Sequence, residues 1–302
     1  MIINFGSINI DMVFQIDTMP TPGETILCPG YEVFPGGKGA NQAIAAARAG
    51  ADVTMVGAVG QGEFGSIAMK SLSDSNVHID AVRILDDVPT GCATICVDSK
   101  GENMITVASG ANLHISADNM PAELATEDNT LLLQMETPAG ENWKLIERWP
   151  GRVIVNLAPA NPIPEEALRK ISLLIMNEGE AEALANHLNC SPSDLPQYLQ
   201  DHYGTDSIIT MGAKGSIAYT SHGSWHVPAL VIEAIDTTAA GDAFVGVLAA
   251  QIDDGYTIEE ALQFAAVASG LACTKVGAQP SLPIRPEIEA NLSRLDPLRQ
   301  VA

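Results

Sequence analysis

Asp236-Thr237-Thr238-Ala239-Ala240-Gly241-Asp242 is the stretch on which the reading of this chain turns. It follows an apolar run, residues 230–235, that reads as the end of a strand. It precedes residues 243–252, which read as a helix with Phe244, Val247 and Leu248 on one face. Small residues thus sit where a strand turns into a helix. Backbone N–H groups at such a point are unpaired and the helix dipole adds positive charge, which makes an anion site. Small side chains let a phosphate approach the backbone. Asp242 falls in the first turn of the helix, beside that site. A carboxylate there would repel a phosphate that merely bound. It has a use if a phosphoryl group is transferred, as the base that takes a proton from an attacking hydroxyl. This stretch alone leaves open a second reading, a carboxylate placed for the helix dipole and worth a few tenths to ~1 kcal/mol.

Composition narrows the classes. The 302 residues are 46% hydrophobic and 17% charged, a globular balance long enough for one large α/β domain or two. Lys and Arg number 15 against 37 Asp and Glu, giving a net charge of −22. Nucleic acid and anionic membrane both need clustered cations, so neither is expected as the main partner. A phosphate ligand is compatible, because its binding is local. The five cysteines, Cys28, Cys92, Cys96, Cys190 and Cys273, contain no Cys-x-x-Cys and read as reduced thiols. His222 and His226 flank a Gly-Ser turn rather than sharing a helix face, so metal ligation is not expected there. The first ten residues carry no basic residue and no small-residue cleavage site, and no apolar run is long enough to span a membrane. The expected location is the cytoplasm.

Apolar periodicity places a strand over residues 2–8, short strands over 12–16 and 24–34, and an Ala-rich helix over 40–49. A strand over 53–59 and a helix over 64–74 follow, then short strands over 82–85, 93–97 and 103–107. The last two are joined by a Ser99-Lys100-Gly101 turn. Strands over 131–134, 153–156, 173–176 and 207–210 then alternate with helices over 139–149, 165–171, 178–187 and 193–202. A hairpin over 216–220 and 224–227 and helices over 240–253, 258–275 and 286–295 complete the chain. Alternating strands and helices argue for a mostly parallel central sheet flanked by helices. The early strands form a separate small sheet, and with no linker or repeat the whole of 1–302 reads as one domain. Ligands of such folds sit at the carboxyl ends of strands. The polar residues there are Asn9 and Asp11, Glu136, Asn177, Thr210 and Asp236.

Asn9 and Asp11 can bind sugar hydroxyls, an Asp accepting from two at once, or they form an Asx-turn. Gly36-Gly37-Lys38-Gly39-Ala40-Asn41 lacks the spacing of a Walker phosphate loop, and Ala40 stands where its hydroxyl would be. It suits a polyol clamp, with Lys38 and Asn41 donating to hydroxyls. Asn177 and Glu180 have capping-box spacing, and could instead hold phosphate and Mg²⁺-bound water. The turn from Thr210 through Gly212 to Gly215 can line a nucleotide.

Taken together, Gly-Gly-Lys-Gly-Ala-Asn near the N-terminus and Asp-Thr-x-Ala-Ala-Gly-Asp near the C-terminus resemble the ribokinase family of PfkB-type sugar kinases. The resemblance runs from Gly6-Ser7-Ile8-Asn9-x-Asp11 to Gly277-Ala278-Gln279-Pro280-Ser281. It implies Asp242 as catalytic base and the backbone of Ala239, Ala240 and Gly241 as the anion hole. It implies Asn9, Asp11, Gly37, Lys38, Asn41 and Glu136 as sugar ligands. Asn177, Thr210, Gly212, Gly215 and Gly241 would contact ATP, with Glu180 acting through Mg²⁺ and water. A monovalent cation, K⁺, would be held by Asp236, Thr238, Ala272, Lys275, Gly277 and Ser281. The small sheet, residues 12–34 and 93–107, would be a lid that pairs with its copy in a homodimer. Two positions depart from the family pattern. Ala266 stands where Asn or His tends to lie near the adenine, and Lys275-Val276 replaces a more basic pair.

The expected reaction is ATP-dependent phosphorylation of the primary hydroxyl of a free pentose, D-ribose. An amide at position 9 suits a 2-hydroxyl, and the absence of Arg from the sugar motifs disfavours a phosphosugar. A nucleoside or another free sugar is the alternative substrate, with Phe14, Phe34 and Met104 able to supply part of a base pocket. A non-catalytic sugar- or nucleotide-binding regulator on the same fold is the alternative of another class.

Overall fold

The computed structural model describes residues 1–100 and 102–301. From the N-terminus run β1 (Ile2–Phe5), β2 (Asn9–Gln15), β3 (Tyr31–Gly36), α1 (Lys38–Arg48), β4 (Val53–Gly60), α2 (Glu63–Asp74) and β5 (Val82–Leu85). Next come β6 (Gly91–Val97), β7 (Asn103–Ala108), β8 (Thr130–Leu133), α3 (Ala139–Arg148), β9 (Val153–Asn156), α4 (Glu165–Leu168), β10 (Leu173–Asn177) and α5 (Glu178–Leu188). The chain ends with α6 (Leu195–Tyr203), β11 (Asp206–Thr210), β12 (Ser216–Thr220), β13 (Gly223–Val227), α7 (Ala240–Asp253), α8 (Ile258–Ala272), α9 (Arg285–Asn291) and β14 (Arg299–Val301).

Side-chain alternation explains the layering. In β1, Ile2 enters one buried cluster, while Ile3 and Phe5 enter another. Strands β8 and β9 divide in the same way, with Leu132 and Ile154 on the first side. Leu131, Leu133, Val153 and Val155 lie on the second. Strands apolar on both faces belong in the middle of a sheet covered by helices on both sides. The sheet has ten strands in the order β14-β13-β12-β11-β10-β9-β8-β1-β4-β5. Pairing is parallel from β11 to β5 and antiparallel from β11 to β14. Helices α1, α7 and α8 fill the first cluster, and α3 to α6 the second. A second sheet, in the order β3-β2-β6-β7, stands apart. The mostly parallel sheet between helices and the small separate sheet are the expected architecture.

Several boundaries differ from the sequence reading. Residues 230–235 form no strand; Val231 and Ile235 are exposed, and β14 pairs with the free side of β13 instead. That C-terminal strand lies beyond 286–295, the last element expected from the sequence. Residues 24–30 are not strand either, because Pro29 and Gly30 interrupt the ladder ahead of β3. The lid begins earlier than residue 12, since Asn9 opens β2, and Asn9 and Asp11 are therefore strand residues rather than a turn. Gly101 of the expected hairpin turn lies outside the described residues. No helix among the described residues is long and apolar enough to cross a membrane.

Helix α7 was expected to bury one face. It is buried continuously from Asp242 to Gln251, because α1 covers one side and α8 another. The α1–α7 contact is unusually close. A Cβ added to Gly246 would lie 2.4 Å from the Gln42 carbonyl oxygen and 2.7 Å from Ala45 Cβ. Replacing Gly246 by Val should therefore push the helices apart and cost roughly 1–3 kcal/mol by overpacking. A urea denaturation midpoint lowered by that loss divided by the m-value is the expected measurement, and an unchanged midpoint contradicts the contact.

Candidate active site

Three loops at the carboxyl ends of β1, β3 and β8 meet at the start of α1. Gly37 has φ 90° and its backbone runs so close to Asn9 that a Cβ would lie 2.8 Å from the Asn9 nitrogen. Gly39 likewise faces the Gly6-Ser7 backbone, with a Cβ position 2.5 Å from the Ser7 nitrogen. No side chain of the loop itself caps α1. Glu136 does this from β8: its Oε2 accepts the Lys38 backbone N–H at 3.0 Å and the Ser7 hydroxyl at 2.6 Å. Lys38 Nζ lies 3.9 Å from Glu136 Oε1. Glu136 thus fixes the loop.

Asp242 lies at the third position of α7 and is 8% exposed. Its Oδ2 accepts from Asn41 Nδ2 at 2.9 Å and its Oδ1 from Gln42 Nε2 at 2.9 Å. The carboxylate bonds to the side chains of another helix, which sets it apart from a helix-dipole cap. Burial raises its pKa; Lys38, Asn41 and Gln42 pull it back, and Glu136 adds to the rise. Lys38 in turn is held protonated, chiefly by Asp242, against the cost of its own burial. The start of α7 carries no side-chain cap, and Ala239 ahead of it takes φ 60°. That left-handed conformation costs a residue with a Cβ roughly 1–2 kcal/mol. An added Cβ on Gly241 meets nothing within 4 Å, so the helix end opens onto free space.

Asn9 and Asp11 enter from the lid strand β2. Gly36 and Gly91 pair with Asn9 from either side. A Cβ on Gly91 would lie 2.2 Å from Asn9 Oδ1, and one on Gly36 would lie 2.1 Å from Asp11 Oδ2. Asn112, not foreseen from the sequence, is 1% exposed and donates to Asn9 Oδ1 at 2.7 Å while accepting from the Ile8 N–H at 2.9 Å. Asn9 is thereby left with its N–H donors to offer. Asp11 has its pKa raised to about 7 by burial, with Glu136 and Asp242 adding to the shift and Lys38 opposing it.

A cleft of about 490 Å³ runs along the sheet edge to the start of α7. Thr210, Gly212, Gly215, Ala240 and Gly241 line it, as does Ala266, with Phe244 and Leu230 among its apolar walls. Asn177 and Glu180 close a reciprocal capping box at 2.8 Å in each direction. Asn177 pairs in register with Thr210, at the cleft's end of the sheet. Burial raises the Glu180 pKa, while the Asn177 N–H and Lys38 oppose it.

The loop after α8 hooks onto the Asp236 segment. Asp236 Oδ1 accepts the Thr238 N–H at 2.9 Å and its hydroxyl at 2.6 Å; Oδ2 accepts the Gly277 N–H at 2.9 Å. Burial opposes ionisation of Asp236, but these bonds prevail and keep its pKa below the usual value. Ala272 and Lys275 share a turn bond at 3.4 Å. Ser281 is fully buried and donates to the Ala278 carbonyl at 2.8 Å. Carboxylate, carbonyl and hydroxyl oxygens are the donors a hard cation prefers. Among the described residues no group of three or more His, Cys, Asp or Glu is placed to hold a metal.

A family model described as pfkB family carbohydrate kinase matches residues 1–285. A ribokinase of Bacillus subtilis is 36% identical over 296 residues, covering 95% of this chain and 98% of that protein. A bifunctional ribokinase/ribose-5-phosphate isomerase A of Fructilactobacillus sanfranciscensis is 36% identical over 297 residues; the match takes in 95% of this chain and 55% of that longer protein. Among solved structures, a ribokinase from Thermotoga maritima superposes with TM-score 0.91 at 33% identity, covering 97% of this chain and 99% of that one. An Arabidopsis thaliana ribokinase complexed with ribose and ATP superposes with TM-score 0.87 at 30% identity, covering 96% and 98%.

Asp11 gives a test of the site's electrostatics. Its folded pKa of about 7 lies above the ordinary 3.8, so the folded state binds the proton more tightly than the unfolded state. The group's contribution is therefore most favourable at acid pH and is lost as pH rises through about 7. Asp11→Asn removes this term. The melting temperature of the variant relative to the parent should increase between about pH 5 and pH 8; a constant difference contradicts the shift.

Proposed function

This chain belongs to the pfkB family of carbohydrate kinases, and we propose that it transfers the γ-phosphoryl group of ATP to the primary hydroxyl of D-ribose. One observation carries the reading: a buried carboxylate, Asp242, is held by two amide donors at an uncapped helix N-terminus that opens onto a cleft. The sugar occupies the region where Asn9, Asp11, Lys38, Asn41 and Glu136 converge. Asn41 Oδ1 is buried there without a partner, an acceptor suited to a sugar hydroxyl. ATP takes the cleft, its phosphates toward Ala239, Ala240 and Gly241, with Thr210, Gly212 and Gly215 along the nucleoside and Asn177 at its edge. Asp242 accepts the proton as the hydroxyl attacks in line, and Lys38 and the α7 N–H groups offset the developing charge.

Mg²⁺ fits as a nucleotide-borne ion, neutralising phosphate charge with Glu180 reached through water, since it keeps several waters and few protein ligands. K⁺ fits the oxygen set of Asp236, Thr238, Ala272, Lys275, Gly277 and Ser281, where it would brace the anion hole from behind. A free sugar is favoured over a nucleoside because the candidate base-stacking rings are engaged elsewhere. Phe14 packs on Tyr31 with ring centroids 5.5 Å apart, and Phe34 lies beside Gly277. The whole chain acts as one kinase domain in the cytoplasm, in keeping with five free cysteines. Its lid leaves Tyr31, Met104, Ile105 and Val107 exposed, an apolar surface that a second copy would cover in a homodimer.

Asp242→Asn should lower kcat with ribose about 10²–10⁴-fold, the range of general-base catalysis. Near-normal turnover in a coupled ADP-release assay would remove Asp242 as the base. A panel of free sugars and nucleosides in the same assay should give its highest kcat/KM with ribose. Replacing K⁺ by Na⁺ should lower turnover in the parent, and Asp236→Asn should abolish the difference. Equal activity in the two ions contradicts the cation site.

A further inference from the structure

We infer that Gln42 is a positioning residue for Asp242, fixing the carboxylate's orientation and favouring its ionised form; the assignment rests on the reading of Asp242 as base. Gln42 is fully buried on α1, behind the carboxylate, and has no exposed route to a ligand. Its Nε2 donates to Asp242 Oδ1 and to Asn156 Oδ1, both at 2.9 Å. Its Oε1 accepts from Gln134 Nε2 at 2.8 Å, and the same Nε2 donates to Asn4 Oδ1 at 2.9 Å.

Backbone carbonyls anchor both ends of this relay. Asn4 Nδ2 donates to the Gly39 carbonyl at 2.5 Å, and Asn156 Nδ2 to the Ile175 carbonyl at 3.3 Å. A carbonyl oxygen can only accept. Each terminal amide therefore has one permitted orientation, and every amide between them follows. Gln42 can present only N–H to Asp242. Flipping it would set its carbonyl against both a carboxylate and the Asn156 oxygen.

The two amides on Asp242 thus have different work. Asn41 binds Asp242 through Nδ2 and carries the unpartnered acceptor Oδ1, so on the proposed reading one amide serves both the carboxylate and the sugar. Gln42 is fully buried, so its bond to Asp242 carries no such second duty. Around the carboxylate, Lys38 from α1 favours ionisation, Glu136 from the β8 loop opposes it, and Asp11 from β2 interacts repulsively with it. Gln42 adds a neutral donor whose proton cannot be lost.

The test is Gln42→Met, which keeps length and removes the donor. With both substrates saturating, kcat should fall roughly 10–100-fold, KM for ribose and ATP should stay within about twofold, and the acid limb of the kcat profile should move to higher pH by roughly 0.5–1 unit. The direction follows because losing a bond to the charged form raises the pKa of the base. An active variant whose acid limb does not move overturns the proposal. If Gln42→Met does not fold, Gln42→Glu replaces it, since a carboxyl can still accept from Gln134 and can share a proton with Asp242. Its acid limb should move further up in pH, and an unmoved limb again overturns the proposal. Asp242→Asn assayed in parallel separates the premises. Retained turnover there removes the base itself, whereas loss there with an unmoved limb in the Gln42 variants removes only the role of Gln42.

Discussion

Burial of the Asp242 carboxyl group sets the constraint around which this molecule is arranged. Water is the ordinary stabiliser of such a charge, and Asp242 is largely cut off from it. The protein substitutes fixed donors: Asn41 and Gln42 from α1, and the nearby charge of Lys38. All three come from one turn of one helix. The position of α1 relative to α7 therefore decides whether the charge is tolerable. That position is set by packing without a side chain at Gly246, and by Glu136 capping α1 from the β8 loop. Structure that looks like core packing is thus also electrostatic design.

The sheet serves the same end through parity. Ile2, Leu132 and Ile154 point to the α1–α7 side, and two residues further along each strand direction stand Asn4, Gln134 and Asn156. Alternation in a strand sends these amides to the same side as the apolar residues before them. The apolar layer thus gives way to a polar one at the carboxyl ends of β1, β8 and β9. Buried amides are costly unless paired, and these pair with one another, with Gln42 and with backbone carbonyls, while Gln134 Oε1 is left without a partner. The parallel fold does more than deliver loops to one edge. It builds the floor beneath Asp242.

This division explains what could be read from the sequence. Asp242, Asn41, Lys38 and the small residues before α7 were legible because their chemistry lies in contiguous motifs with unusual composition. Asn177 and Glu180 were legible as a capping box, and that is the geometry they adopt. Asn112 and the amides at 4, 134 and 156 were not legible, and neither was the task of Gln42. Each has a partner between 19 and 200 positions away, from Asn156 with Ile175 to Gln42 with Asp242, and a lone amide in an apolar run carries no sign of what it will meet. Residues 230–235 misled for a related reason. An apolar run with β-branched residues reads as a strand, but here it leaves the sheet and supplies a wall of the cleft. Strand propensity reflects fit to a half-buried surface, and a cleft wall asks for the same side chains.

The lid follows from the same economy of chain. Only residues 6–8 separate β1 in the central sheet from β2 in the lid, so Asn9 and Asp11 stand at the lid's root. Asn112 ties that root to the segment leaving the far lid strand, by bonding both Asn9 and the Ile8 backbone. At the other extreme β7 is exposed along its whole length. Elements with few buried apolar contacts open most easily, so the lid's stability rises toward its root. A sugar bridging Asn9 and Asp11 on the lid to Lys38 and Asn41 on α1 would join the firm end of the lid to the helix that holds Asp242. Closing over the substrate and aligning the base would then draw on the same contacts.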